Sequence, residues 1–239
     1  MPRLPPDQPP LRTVNSFVIR AGRMTDAQQA ARDRLWSRYG LEVDGGRLEA
    51  EAVFGRRAPL IFEIGFGMGG SLAEMAKAQP DHDFIGVEVH PPGIGTLLRL
   101  IEQQQLDNLR VYQADTKIVL DRCIGDSQLH KVQIFFPDPW PKKRHHKRRL
   151  IQPEFIDALL PKLEVGGVLH LATDWEPYAQ HMLEVLGNEP RLANLAGAGC
   201  FMTGHGRPLT KFEQRGQRLG HGVWDLQFVR LATADGRGR

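Results

Sequence analysis

A carboxylate, an indole and a dense run of cations stand together in the middle of this chain. The mostly apolar residues Val132–Phe136 predict a buried strand, which is followed by Asp138 between two prolines and then by Trp140. The eight residues Lys142–Arg149 include no acid and no apolar side chain. An acid and an aromatic face at the carboxyl end of a strand suit the binding of a flat heterocycle, and adjacent cations suit a polyanion. The combination indicates chemistry on a nucleobase.

Composition limits the classes of protein to which the chain can belong. It has 239 residues, 41% of them hydrophobic, and a formal net charge of +3, which favours one α/β domain with one sizeable core. Residues 1–12 hold five prolines and predict a disordered tail, so that 13–239 form the single domain. Cys123 and Cys200 lie far apart without metal-ligand spacing, which predicts reduced thiols and no metal site. No stretch has the length of a membrane span, and no signal peptide is recognisable, so we expect a cytoplasmic protein.

Strands and helices are predicted to alternate from Pro59 onward. The predicted strands are Leu60–Ile64, Phe84–Val89, Leu109–Gln113, Val132–Phe136 and Gly167–Thr173, and the predicted helices are Ser71–Gln79, Gly93–Gln105, Thr116–Arg122, Pro153–Leu163 and Glu176–Leu186. Continuous apolar strands separated by amphipathic helices indicate a mostly parallel sheet that is covered on both faces. Two late segments, the weak Leu195–Cys200 and the stronger Trp224–Leu231, would add an antiparallel edge. An earlier helix is predicted to begin at Thr25 or Asp26 and to end near Tyr39.

A glycine-rich turn follows the first predicted strand. Its glycines Gly65, Gly67 and Gly69 stand at alternate positions, where they allow a tight turn and close approach of a ligand to the backbone. This GxGxG spacing differs from the GxGxxG of dinucleotide sites, and the preceding Glu63 would repel a pyrophosphate. A plain strand-to-helix turn is the alternative interpretation.

Three acids stand at the ends of three successive predicted strands. Glu63 suits a cofactor with a cationic centre or an amino group, Glu88 is placed to accept both hydroxyls of a ribose, and Asp115 lies near the expected adenine amino group. Each acid alone could cap a helix or belong to a surface turn. Together they favour S-adenosyl-L-methionine over NAD.

The chain resembles the bacterial tRNA (guanine-N7-)-methyltransferases over nearly its whole length beyond the proline-rich tail. The shared motifs are Arg20-Ala21-Gly22-Arg23-Met24-Thr25, Glu63-Ile64-Gly65-Phe66-Gly67, Glu88-Val89-His90-Pro91-Pro92-Gly93, Pro137-Asp138-Pro139-Trp140-Pro141-Lys142-Lys143-Arg144-His145, Thr173-Asp174-Trp175 and Thr210-Lys211-Phe212-Glu213-Gln214-Arg215-Gly216. Many methyltransferases share the glycine turn, whereas the last three motifs are specific to this family.

The resemblance implies a fold, an activity and a set of site residues. The fold is the class I S-adenosylmethionine-dependent methyltransferase (Rossmann-like) fold, an α/β structure whose seven-stranded, mostly parallel sheet has helices on both faces. The activity is methylation of N7 of guanosine 46 in the tRNA variable loop, with S-adenosyl-L-homocysteine as the second product, by a monomer or homodimer without an obligatory protein partner. The implied cofactor contacts are Glu63, Gly65, Gly67, Glu88, Asp115 and Asp138, with Asp138 also catalytic; the implied substrate contacts are Lys142, Asp174, Thr210, Lys211, Phe212 and Glu213; and the implied RNA-binding arm is Arg144, His145, His146, Lys147, Arg148 and Arg149.

The chemistry of guanine N7 restricts what the site residues must do. N7 carries an in-plane lone pair and no proton, so alignment of the reacting atoms matters more than a general base. Asp138 would stabilise the positive charge that develops on the purine, and Asp174 is a second candidate for contacting the base. Trp140 would either stack on the base or pack under its loop. Trp175 and Trp224 are expected in the core.

The basic run and the pocket acids separate the other functional classes. We expect the run to become ordered only on contact with RNA, because its like charges repel and its first apolar residue is Leu150. A methyltransferase for a small molecule would have no use for it, whereas one for another RNA would. A non-catalytic RNA-binding module would have lost some of the pocket acids, and a nicotinamide oxidoreductase is disfavoured by Glu63 and by the glycine spacing.

Overall fold

The computed structural model describes residues 16, 22–204, 207 and 222–232. The predicted tail of residues 1–12, Arg20 and the predicted contacts Thr210–Glu213 lie outside the described residues. The helices are α1 Asp26–Tyr39, α2 Ala50–Phe54, α3 Gly70–Ala78, α4 Pro91–Gln104, α5 Thr116–Arg122, α6 Pro153–Leu159 and α7 Glu176–Gly187, and 3₁₀ helices span Val43–Gly45, Lys143–Arg148 and Leu160–Lys162. The strands are β1 Gly40–Leu41, β2 Leu60–Ile64, β3 Asp83–Glu88, β4 Leu109–Gln113, β5 Leu129–Phe135, β6 Leu163–Thr173, β7 Leu192–Asn194 and β8 Trp224–Arg230.

All described strands belong to one sheet in the order β1-β4-β3-β2-β5-β6-β8-β7. The first six strands of the chain pair in parallel, and β8 runs antiparallel to both β6 and β7. The sheet thus has eight strands instead of the predicted seven. The additional strand is the two-residue edge strand Gly40–Leu41, which pairs with Val111 and Tyr112. Two residues carry no periodicity by which a sequence could reveal them.

Local sequence explains most element boundaries. Thr25 caps α1 in a capping box, in which its hydroxyl accepts from the Gln28 amide and the Gln28 side chain accepts from the Thr25 amide. β2, β4 and α5 match their predicted bounds. Lys131 and the pair Gly166-Gly167 interrupt the apolar runs in the sequence, so the predicted strands begin too late. The observed β5 and β6 begin at Leu129 and Leu163. The strand that precedes β8 is Leu192–Asn194 and not Leu195–Cys200 as predicted, because a turn, in which the Gly197 amide donates to the Asn194 carbonyl, interrupts the ladder.

The two faces of the sheet support separate core layers. Successive residues of β2 point to opposite faces, so Phe62 and Ile64 pack with α5, α6 and α7, whereas Ile61 packs with α1, α3 and α4. Glu63 shares the face of Ile61, and it is only 3% exposed. An acid that precedes the glycine turn therefore enters the apolar layer beneath the sheet.

The strand order places a crevice at the carboxyl ends of the central strands. From β2 the chain builds outward through β3 and β4 and then crosses to β5 on the other side of β2. Ligands of open parallel sheets bind at such a reversal, beyond the carboxyl ends of the strands. The predicted site residues at the ends of β2, β3, β4, β5 and β6 therefore lie on this same side of the sheet. Among the described helices, none is long and apolar enough to span a bilayer.

Candidate active site

A cavity of about 300 Å³ opens at the carboxyl ends of the central strands. It is lined by Ser16, Ile64, Gly65, Val87, Glu88, Val89, His90, Ala114, Thr116, Ile134, Phe135, Phe136, Pro137, Asp138 and Leu150. Apart from Ser16 and Leu150, these residues lie at or just after the ends of β2, β3, β4 and β5, and three of the predicted site residues, Gly65, Glu88 and Asp138, are among them. The cavity thus lies where the topology places a ligand site.

The glycine turn presents bare backbone to this cavity. Gly65 and Gly67 have φ of 72° and 59°, which other residues adopt only at a cost, and a Cβ on either would meet no atom within 4 Å. On the opposite side of the turn the packing is tight, because a Cβ on Gly93 of α4 would lie 2.1 Å from the Gly67 carbonyl oxygen. The turn is therefore held against α4 and leaves space on its other side, where a ligand can approach the backbone.

Glu88 fastens this turn to the end of β3. One carboxylate oxygen accepts from the Gly67 amide at 2.9 Å, and the other accepts from the amides of Val89 at 2.7 Å and His90 at 3.0 Å. A carboxylate offers about four acceptor positions, so three are already used. Glu88 lines the cavity as predicted, but it also organises the turn, a role that its position in the sequence does not reveal.

Asp115 and Glu63 lie beside the cavity, not among its lining residues. The Asp115 carboxylate caps α5 by accepting from the Lys117 amide at 2.9 Å. Burial raises the pKa of Glu63 to about 8, although the positive charges of Arg207 and Lys131 act in the opposite direction. Glu63 Oε2 is buried and has no hydrogen-bond partner among the described residues. Because this carboxyl keeps its proton at pH 7, its orphaned oxygen fits a cofactor that brings a hydrogen-bonding group.

The loop that carries Asp138 is strained at both ends. Phe136 has φ of 53° and Trp140 has φ of 45°, values that bulky side chains rarely adopt. Hydrogen bonds hold the loop in place: the Phe136 amide donates to the Ala172 carbonyl at 2.8 Å, and the Trp140 indole donates to the Ser16 carbonyl at 3.1 Å. Asp138 is exposed between these anchors, and its carboxylate accepts no hydrogen bond from the described part of the chain. A held loop with an available carboxylate is a suitable platform for electrostatic catalysis.

Trp140 is packed within its own loop. The Arg148 guanidinium lies 4.3 Å from the centre of the indole, and the His145 ring meets it edge-on at 5.8 Å. The two alternatives for Trp140 were stacking on the base and packing under the loop, and these contacts favour packing.

The basic run, predicted to become ordered on contact with RNA, has a helical conformation in the structure. Residues Lys143–Arg148 form a 3₁₀ helix that is anchored by Trp140 and by the buried Arg149 and Leu150. Its exposed cations are Lys142, Lys143, Arg144 and Lys147, and His145, His146 and Arg148 are partly buried. Burial and the neighbouring Arg144, Arg148 and Lys142 lower the pKa of His145, which is therefore a neutral imidazole at pH 7.

Arg149 differs from the rest of the predicted arm because it is only 4% exposed. Its guanidinium donates to the Pro139 carbonyl at 3.0 Å, lies 3.2 Å from His146 Nε2 and stacks on Tyr178 at 4.8 Å. These contacts fix the loop around Asp138 to the body of the domain. The described position of Arg149 is that of a support for the loop and not of a contact with phosphate.

Asp174 follows β6, which adjoins the strand that leads to Asp138. It is half-buried, and the next amide, that of Trp175, donates to the Thr173 hydroxyl at 3.2 Å. Trp175 is 39% exposed, so the expectation that it belongs to the core is wrong; Trp224 is partly buried. The structure therefore brings Asp138 and Asp174 to adjacent strand ends.

A buried polar cluster escaped prediction from the sequence. His170, Asp225 and Arg207 interact on the face of the sheet that also carries Glu63. The available signal was an ionisable residue between apolar neighbours in each of two strands, His170 in β6 and Asp225 in β8. Among the described residues, no group of three or more His, Cys, Asp or Glu side chains is arranged to hold a metal ion.

Comparisons with known proteins place the chain in a family. A family model described as "Putative methyltransferase" matches residues 57–226, more than half of the chain. The tRNA (guanine-N(7)-)-methyltransferase of Idiomarina loihiensis is 58% identical over 219 residues, covering 91% of this chain and 89% of that protein. Two further relatives have the same name. The protein of Pseudomonas aeruginosa is 57% identical, covering 93% of this chain and 91% of that protein. The protein of Ectopseudomonas mendocina is 55% identical, covering 96% of this chain and 97% of that protein.

Solved structures with low sequence identity share the fold. The 16S rRNA methyltransferase KamB superposes with a TM-score of 0.52 at 14% identity, covering 78% of this chain and 95% of that chain. The aminoglycoside resistance methyltransferase NpmB1 gives 0.51 at 17% identity, covering 80% and 94%. The sheet order and these similarities establish the class I, Rossmann-like methyltransferase fold. Together with the matches at 55–58% identity, they show that the chain belongs to the tRNA (guanine-N(7)-)-methyltransferase family.

Proposed function

We propose that this protein is a cytoplasmic enzyme that transfers a methyl group from S-adenosyl-L-methionine to N7 of a guanosine in tRNA, at position 46 of the variable loop. The observation that carries the proposal is the junction of two surfaces. The cavity at the switch point of the sheet ends at Asp138, and the exposed cations of the 3₁₀ helix Lys143–Arg148 begin five residues later. Family membership supplies the reaction type, and this junction supplies a place for both ligands.

The residues around the cavity are suited to S-adenosyl-L-methionine. The bare backbone of Gly65 and the Glu88 carboxylate line the cavity, and the orphaned Glu63 oxygen lies beneath the turn between them. The remaining acceptor capacity of Glu88 would serve one ribose hydroxyl, because its other positions hold backbone amides. When bound, this cofactor supplies an electrophilic methyl group on a sulfonium.

The chain itself contributes alignment and charge. Guanine N7 attacks with its own lone pair, so no protein group has to remove a proton. Asp138 stabilises the positive charge that grows on the purine, and its strained, hydrogen-bonded loop keeps the carboxylate in one position. Asp174, at the adjacent strand end, is the second carboxylate available to the N1–H and amino group of guanine.

The exposed cations bind the tRNA backbone. Lys142, Lys143, Arg144 and Lys147 lie on one short helix and its cap, and no acid interrupts their sequence. Release of counterions from the phosphates makes such contacts the main source of affinity for RNA, although they read no sequence. Thr210–Glu213 are proposed as further substrate contacts on the basis of the motif alone.

The deciding experiment is a methyl-transfer assay with mapping of the product. The protein is incubated with labelled S-adenosyl-L-methionine and tRNA transcribed without modifications, and the labelled nucleoside is located by mass spectrometry. N7-methylguanosine at position 46 is the expected product. Label at another tRNA position would contradict the assignment of the position, and an unlabelled tRNA together with labelled ribosomal RNA in a parallel reaction would contradict the substrate class. Replacement of guanosine 46 by adenosine in the transcript is the matched control and should abolish the signal.

A further inference from the structure

Arg207 and Asp225 form a buried, two-point ion pair at the back of the site. Arg207 Nε lies 2.9 Å from Asp225 Oδ1, and Arg207 Nη2 lies 2.9 Å from Asp225 Oδ2. The two side chains are 0% and 1% exposed. His170 Nε2 lies 2.9 Å from the same Oδ1 atom, and His170 is also fully buried. The carboxylate is thus held from two sides.

The same guanidinium covers the strand end that leads to Asp138. Its carbon lies 5.1 Å from the ring centre of Phe135 and 5.4 Å from that of Phe136. Phe135 also meets His170 edge-on at 5.0 Å. Phe136 is the residue with positive φ at the start of the strained loop, two residues before Asp138. Contact with Arg207 therefore reaches the loop that positions the proposed catalytic carboxylate.

Stability alone is a weak explanation for this arrangement. Burying an ion pair costs desolvation energy that is often as large as the attraction gained, and apolar residues of similar volume serve stability as well or better. Burial lowers the pKa of His170 more than its hydrogen bond to the Asp225 carboxylate raises it, which favours the neutral imidazole. What the pair adds is a defined geometry, because a planar guanidinium matches one orientation of a carboxylate.

We propose that Arg207 is a positioning residue for methyl transfer: its pairing with Asp225 holds the guanidinium in one orientation, and its stacking on Phe135 and Phe136 fixes the strand end that leads to Asp138. The inference rests on the proposed function. Arg207 is not among the residues that line the cavity, whereas Phe135 and Phe136 are, so it acts through the residues that it orders.

The test compares turnover and binding in a double-mutant cycle. The variants are Arg207→Gln, Asp225→Asn, the double variant and the charge-conserving Arg207→Lys, with Arg191→Gln as the matched control. Arg191 likewise forms ion pairs with carboxylates, those of Glu189 and Asp157, but it is partly exposed and precedes β7, away from the site. Turnover is normalised to the concentration of protein that binds S-adenosyl-L-methionine, so that unfolded protein does not lower the apparent kcat.

The expected result is a selective loss in kcat. Arg207→Gln should lower kcat by about tenfold or more and leave KM for tRNA within about threefold, since the phosphate contacts lie elsewhere. The double variant should lose no more than the worse single variant, because both remove one interaction. The kcat of Arg207→Lys should lie between those of the parent and of Arg207→Gln, because lysine keeps the charge but lacks the planar guanidinium. Arg191→Gln should turn over like the parent.

Several outcomes would overturn the inference. If the parent is active, an unchanged kcat in Arg207→Gln would overturn it. Losses of activation free energy that simply add in the double variant would also overturn it, because they would show that the two residues act independently. If Arg207→Gln fails to fold, Arg207→Lys decides, and parental turnover by that variant would show that the fork is not required. A parent that methylates no tRNA would instead contradict the proposed function, so the two failures are distinguishable.

Discussion

The Glu88 carboxylate accepts a hydrogen bond from the Gly67 amide at 2.9 Å, across 21 positions of the chain. The end of β3 is thereby tied to the glycine turn that follows β2, and the open backbone of the turn is fixed where the cavity lies. One side chain thus shapes the binding surface and forms part of it. The first two predictions separate these two roles.

Glu88→Ala should weaken S-adenosyl-L-methionine binding by about tenfold or more, since hydrogen bonds to charged groups contribute about 1.5–3 kcal/mol. It should also lower the melting temperature without ligand, because three backbone amides lose their acceptor. Calorimetry and thermal unfolding measure the two effects. Unchanged affinity in a folded variant would place the ribose elsewhere.

Asp115→Ala is the matched comparison, because Asp115 makes one cap hydrogen bond and lies beside the cavity. We expect a loss of about 1 kcal/mol in stability from the missing cap. The loss of cofactor affinity should be smaller than for Glu88→Ala, because Asp115 does not hold the glycine turn. A loss as large as that of Glu88→Ala would show that Asp115 contacts the cofactor as strongly as Glu88 does.

Asp138→Asn should reduce kcat by about a hundredfold or more and keep tRNA affinity near that of the parent, if the carboxylate acts by its charge. The rate should show no pH step from an obligatory base, because N7 has no proton to lose. Single-turnover rates, with cofactor affinity measured in parallel, check both points. Asp174→Asn serves as comparison for the second carboxylate. Full turnover by the Asp138→Asn variant would refute the assignment.

Glu63 should make the protein less stable as the pH rises from about 5 to 8. Its pKa is raised from 4.5 to about 8 by burial, so in this range the folded state keeps a proton that the unfolded state has lost. The free energy of unfolding then falls with pH, with a slope of up to about 1.4 kcal/mol per unit for one group. Glu63→Gln should remove this slope, which urea unfolding at several pH values would show. Glu102→Gln is the control, because its hydrogen bond from Arg34 lowers the pKa of Glu102 and places its titration below this range.

Apolar periodicity predicted the central strands, but it could not show what happens at their ends and edges. β2, β4 and α5 were predicted with their bounds because each is a continuous or strongly periodic run. The positive φ of Phe136 and Trp140 has no sequence signal, since neither position is a glycine.

The sequence predicted those site residues whose position depends only on which strand they follow. Glu88 and Asp138 reached the cavity as expected, whereas Glu63 turned into the core layer because side chains alternate along a strand. The pairing of Arg207 with Asp225 joins residues 18 positions apart, and no local pattern specifies such a contact.

The structure divides the basic run into two groups with different predicted effects. Neutralising Lys143, Arg144 and Lys147, all exposed on the 3₁₀ helix, should weaken binding to any tRNA. Each lost phosphate contact should reduce the slope of log affinity against log salt by roughly 0.7–0.9, because fewer counterions are released. Affinity for S-adenosyl-L-methionine should not change. An unchanged slope with lost activity would mean that the cluster serves the catalytic loop and does not bind RNA.

Arg149→Gln should behave differently although it lies in the same run. Its buried guanidinium donates to the Pro139 carbonyl and stacks on Tyr178, so the substitution removes both contacts beside Asp138. We expect lower stability and lower kcat with the salt slope of the parent. Filter binding over a range of salt concentrations, together with single-turnover rates, distinguishes this outcome from that of the exposed cations. A reduced slope in Arg149→Gln would contradict the structural assignment, because it would require the guanidinium to leave the Pro139 carbonyl and contact phosphate when tRNA binds.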